Sequence, residues 1–128
     1  MPVFRKSNEL EAFQFFGWQV QVRPTLWSPP TDVYETEDAY VVRVEIAGMR
    51  EEDFEITLEG NYLLIQGNRS DTSERRAYHQ MEIRFGRFAS VVELPPAIDA
   101  QRVEAEYRNG FLCITLPKAR PNLLTIQE

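Results

Sequence analysis

An antiparallel β-sandwich of two sheets is the fold this sequence predicts. Three observations carry that expectation. Residues 31–118 break into short stretches in which apolar and polar side chains alternate. Turn residues separate those stretches at hairpin spacing, and no helical period intervenes. Two dipeptides, Gly60-Asn61 and Asn109-Gly110, combine residue types that tolerate the positive φ of a two-residue hairpin turn.

The elements follow in order. Residues 1–30 form an aromatic-rich arm with Phe4, Phe13, Phe15, Phe16, Trp18 and Trp27. Asn8 with Glu11 three positions on is a helix-start signal and predicts a short helix over 9–17, with Leu10, Phe13 and Phe16 on one face. Pro24, Pro29 and Pro30 then impose an extended stretch. Tyr40 to Ile46 alternates, with Tyr40, Val42, Val44 and Ile46 on one face and Val41, Arg43 and Glu45 on the other. Phe54 to Leu58 repeats the pattern, Gly60-Asn61 turns the chain, and Tyr62 to Gln66 returns. Residues 68–76 are polar and read as a loop. Residues 77–85 alternate again, Phe88 to Leu94 forms the next strand, and Pro95-Pro96 ends it. Val103 to Tyr107, the Asn109-Gly110 turn and Phe111 to Leu116 complete about seven strands, the number and spacing of a sandwich.

The chain has 128 residues, 43% of them hydrophobic, which suits one domain of 31–118 with an arm (1–30) and a tail (119–128). The net charge of −6 argues against nucleic acid or an anionic membrane as partner. Every basic residue except Lys6 and Lys118 is Arg; this suits carboxylate pairing at protein contacts and suits genome composition equally. The single cysteine, Cys113, leaves no intrachain disulfide and fits a reducing compartment. Met1 to Lys6 has no apolar run after its charges, so no secretory signal is expected. No run approaches the ~18 apolar residues of a membrane span. A cytoplasmic location is the expectation.

The chemistry-bearing residues do not form a reactive constellation. His79 is the only histidine, sits on an alternating stretch, and has no second His or Cys near it in sequence to make a metal set. Cys113 lies beside Ile114 and reads as a core or near-core residue rather than a nucleophile. Glu51-Glu52-Asp53 reads as a solvated turn. There is no phosphate-binding glycine loop. Neither catalysis nor a cofactor is expected.

What remains is apolar surface. Leu124 and Ile126 lie two apart, so in an extended tail they point the same way. Such a tail either docks on a sheet edge or frays. Between Gly67 and Gly86 there is enough chain to leave the sandwich and return, either to exchange with a partner or to fold back. The arm's aromatics either pack on the domain or meet other molecules.

At this point the residues resemble a family. Trp27-Ser28-Pro29-Pro30-Thr31-Asp32-Val33-Tyr34-Glu35, Glu45-Ile46-Ala47-Gly48 with Glu52-Asp53-Phe54, Leu64-Ile65-Gln66-Gly67 and Gly86-Arg87-Phe88 are similar to successive motifs of the α-crystallin domain of small heat-shock proteins. The most specific stretch is Ala105 to Lys118, which fits A-x-x-x-n-G-v-L-x-I-x-l-P-K at nearly every position, and Leu124-Thr125-Ile126 resembles the tail motif I-x-I/V. The resemblance implies an immunoglobulin-like sandwich in the bacterial and plant form, and an ATP-independent holdase that assembles with itself and binds partly unfolded clients. It implies a groove lined by Ile56, Leu58, Val103 and Ala105 that receives the Leu124/Ile126 plug. It implies an exchanged strand carrying Tyr78, His79, Met81, Ile83 and Arg84, and client binding at Phe13, Phe15, Phe16 and Trp18. Two departures stand out: Ser90 occupies a position where many members carry arginine, and the arm is short. The rival reading is a monomeric co-chaperone-type sandwich that docks on one partner.

Overall fold

In a computed structural model of the chain, residues 3–7 and 26–120 are described. The helix expected over 9–17, the aromatics Phe13, Phe15, Phe16 and Trp18, and the tail residues Leu124 and Ile126 lie outside them. The strands among the described residues are β1 (Val3–Ser7), β2 (Thr31–Glu35), β3 (Ala39–Glu45), β4 (Phe54–Glu59), β5 (Tyr62–Arg69), β6 (Gly86–Glu93), β7 (Glu104–Arg108) and β8 (Phe111–Pro117). They form two sheets, ordered β1-β4-β5-β6 and β2-β3-β8-β7. Every pairing is antiparallel except β1 with β4. The all-β sandwich expected from alternation is the observed fold.

The inward faces are those the alternation marks. Val42, Val44 and Ile46 meet Leu112, Ile114 and Leu116 on one sheet, facing Ile56, Leu63 and Ile65 on the other, and all are fully buried. Each such side chain contributes roughly 1.5–3 kcal/mol through removal from water. Gly60-Asn61 closes the β4–β5 hairpin, with Glu59 paired to Tyr62. Asn109 (φ 53°) and Gly110 (φ 82°) close β7–β8. Both turns are where the dipeptides place them.

Two contacts close the sandwich along its sides. On one, the Phe54 ring of β4 lies 5.0 Å from the Tyr107 ring of β7. The Tyr107 hydroxyl donates to the Ile46 carbonyl at 2.8 Å and accepts from the Met49 N–H at 3.3 Å. On the other side, Ser90 of β6 and Thr31 of β2 share a hydroxyl–hydroxyl hydrogen bond of 3.0 Å.

Several placements depend on both sheets being assembled. Trp27, one of the arm's aromatics, packs on the domain at 6% exposure, its ring tilted against that of Phe88 with centroids 5.6 Å apart. Its backbone bridges to β6: the Ala89 N–H donates to the Trp27 carbonyl at 2.9 Å. Val41 lies on the outward face yet is also buried, because β3 is an interior strand flanked by β2 and β8. Leu64 and Ala89 form a second small apolar cluster on the outer face of their sheet, covered by Leu26. Cys113 is not in the core: it is half-buried on the outer face of β8, between Arg43 and Glu106, because its neighbours Leu112 and Ile114 take the inward positions. Glu51–Asp53 is a single 3-10 turn, with the Asp53 carboxylate accepting the Arg50 N–H at 2.9 Å.

Residues 70–85 are the main difference. The alternation at 77–85 predicts a strand, and the chain there is exposed and unladdered. Alternation makes a two-faced segment, but a strand also needs a neighbour for its N–H and C=O groups. None of the described residues runs beside it.

Candidate functional site

A sandwich acts on other molecules through its edges and through loops that leave it. This chain offers three such features.

The first is the segment 70–85. Tyr78, Met81 and Ile83 are exposed at 48%, 60% and 66%. His79 and Arg84 are exposed beside them. The root of the segment is fixed by Arg69 at the end of β5. Its Nε donates to the Arg84 carbonyl at 2.9 Å, and its Nη1 donates to the Ala47 carbonyl at 3.3 Å. Its guanidinium lies 4.7 Å from the Trp27 ring and 5.4 Å from the Phe85 ring. One cation thus ties the outgoing and returning ends together over the Trp27 core. Near the start, the Asp71 carboxylate accepts from the Tyr78 hydroxyl at 3.3 Å and pairs with Arg76 at 3.5 Å. Sequence reasoning missed Arg69, since nothing in its neighbourhood separates it from other exposed arginines.

The second feature is the outer edge of β2. Thr31–Glu35 pairs with β3 on one side, and among the described residues no strand pairs with the other. Val33 and Tyr34 stand exposed there at 47% and 45%. At the base of this edge Ser90 is buried at 5% exposure and bonded to Thr31. A neutral hydroxyl pair within one chain therefore sits where many relatives are expected to place a charge.

The third feature is the side between β4 and β7. Ile56 and Leu58 are fully buried, Ala105 is 6% exposed and Val103 is half-buried. The four expected groove residues are thus brought to one side of the sandwich, where they belong to its core. The β4 edge above them is occupied by β1, in register from Val3 with Glu55 to Ser7 with Glu59. The outer face of β7 is acidic, with Glu104 and Glu106 exposed and lining, with Glu51, a depression that reaches Cys113 and Thr115 of β8.

The titratable groups do not converge on a reactive centre. Among the described residues no three His, Cys, Asp or Glu side chains come together in a way that could hold a metal ion. Burial pushes the Cys113 thiol above its ordinary range; Arg43 lowers it and Glu106 raises it further. A raised thiol carries less thiolate at a given pH, and the thiolate is the nucleophile. Alkylation of Cys113 by iodoacetamide at pH 8 is expected to run slower in the folded chain than in urea, monitored by mass spectrometry. A faster rate in the folded state would contradict this placement.

The open β2 edge and the exposed apolar segment 70–85 are the surfaces the described residues offer to other chains. The sequence profile of the Hsp20/alpha crystallin family matches residues 32–126. The chain belongs to this family. It is 38% identical to Heat shock protein 16 of Schizosaccharomyces pombe over 95 residues, 71% of this chain and 66% of that one. It is 29% identical to Small heat shock protein C4 of Rickettsia felis over 114 residues, 88% of this chain and 70% of that one. The crystal structure of a small heat-shock protein from Xylella fastidiosa, described as having a distinct high order structure, aligns with a TM-score of 0.67 at 26% identity, covering 80% of this chain and 98% of that one. The matches span 60% to 70% of the length of these and other curated relatives. As a small heat-shock family member the chain belongs to a family of chaperones, not of enzymes. Among the described residues no helix is long and apolar enough to cross a membrane.

Proposed function

We propose that this chain is an ATP-independent holdase of the cytoplasm, working as an oligomer of dimers. Its domain spans 31–118, between an arm (1–30) and a tail (119–128). The supporting observation is a pairing of opposites in one chain. The segment 70–85 exposes Met81 and Ile83 and has no ladder, and the β2 edge exposes Val33 and Tyr34 and has no outer neighbour. In a symmetric dimer each segment adds to the partner's β2 edge, and both needs are met twice. Leu124 and Ile126 dock beside Ile56, Leu58, Val103 and Ala105 of a neighbouring dimer. Phe13, Phe15, Phe16 and Trp18 receive clients that expose apolar surface. Binding the unfolded state holds a client from aggregation without nucleotide.

The test has two parts. Heat-induced light scattering of an aggregation-prone client, without nucleotide, is expected to fall at near-stoichiometric ratios of this protein. Met81→Asp with Ile83→Asp is expected to weaken the dimer about 100-fold or more by sedimentation, since burying each side chain is worth ~1.5–3 kcal/mol and ~1.4 kcal/mol is tenfold. Unchanged scattering together with a monomeric mass for the unaltered chain would favour the single-partner adaptor.

A further inference from the structure

The β4 edge carries one more inference. A strand has two edges. That of β4 toward β5 is filled from Phe54 with Gly67 to Glu59 with Tyr62, and the other is filled by β1 over five residues. No third strand can add to β4 while both neighbours are in place. Below this edge Ile56 and Leu58 are already fully buried. An incoming segment from another copy therefore has to displace β1.

We propose that Val3–Ser7 is a removable cap on the β4 edge, and that it competes there with the tail of another copy. This rests on the reading of Leu124 and Ile126 as the docking segment. β1 is suited to letting go: it is a five-residue strand that among the described residues pairs only with β4, in a parallel ladder, which is slightly weaker per residue than an antiparallel one.

The test uses the full chain carrying Leu124→Gly and Ile126→Gly, so that its own tails do not interfere. A labelled peptide of residues 119–128 is titrated into this host, and into the same host lacking residues 2–7, by fluorescence anisotropy. A second capless host, Phe4→Pro with Lys6→Pro, keeps the chain length, and circular dichroism checks that each host is folded. The peptide is expected to bind the capless hosts about tenfold tighter, the factor for a cap in place roughly nine-tenths of the time. Equal affinity for capped and capless hosts overturns the competition while leaving tail docking intact. Failure to bind any host overturns tail docking itself, and the cap proposal with it.

Discussion

Replacing Phe88 by alanine is expected to cost about 3–5 kcal/mol of folding free energy, the range for truncating a buried aromatic. Phe88 is 1% exposed. Its ring sits 5.6 Å from the Trp27 ring and 6.2 Å from the Phe54 ring, so it is the middle member of an aromatic row crossing the sandwich. The row joins the segment before β2, the β6 strand and the start of β4. Phe54 in turn meets Tyr107 on the opposite sheet. A cavity at Phe88 removes contacts from the Trp27 segment and from β4 at once, and rigid strands do not collapse to fill it. Thermal unfolding followed by circular dichroism, at fixed protein concentration because assembly also stabilises, should show the melting temperature falling by more than about 10 °C. A loss below about 1 kcal/mol would mean that the row is not a structural spine.

Gly67→Ala is the second large effect, and its cause is lack of space rather than backbone conformation. A Cβ at this position would stand 2.7 Å from the Phe88 ring and 2.8 Å from the Asp53 carbonyl oxygen. Both separations are well inside van der Waals contact. The ring can tilt, but the Asp53 oxygen belongs to the backbone of the turn that launches β4 and has little freedom. Overpacking of this kind costs about 1–3 kcal/mol, and the backbone contact places this case toward the upper end. Because Gly67 and Phe88 touch, their substitutions should not add. Gly67→Ala in a Phe88→Leu background is expected to cost less than half of what it costs alone, measured by urea unfolding. Full additivity would show that the Asp53 oxygen alone sets the penalty.

The same pair of residues shows how far sequence reading reaches. Gly67 read as the end of a strand and as part of a family motif, but the strand runs on to Arg69 because Asn68 and Arg69 pair with Arg87 and Gly86. Its reason for being glycine, the ring of Phe88 on the neighbouring strand and the Asp53 carbonyl, was not legible. Trp27 was legible as an aromatic that needed a surface, but its surface is its own core. Ser90 was legible only as a departure; that it is a buried bond to Thr31 required both sheets in place. Arg69 could not be distinguished among twelve arginines, because its role depends on the Ala47 and Arg84 carbonyls and two rings arriving at one point.

By itself the sequence determined the inward face of β3, the matching alternation of β4 and the two hairpin turns. These are local properties: alternation and a positive-φ dipeptide each act within a few positions. Only the tertiary structure decided which segments gain neighbours. It put β1 in parallel beside β4 and laid β2 against β3 although Thr31–Glu35 is exposed almost throughout. It turned Cys113 outward. It left 77–85 without a ladder, although its alternation is as regular as that of β4. A strand is completed by hydrogen bonds to another strand, and the identity of that partner is not written in either segment alone.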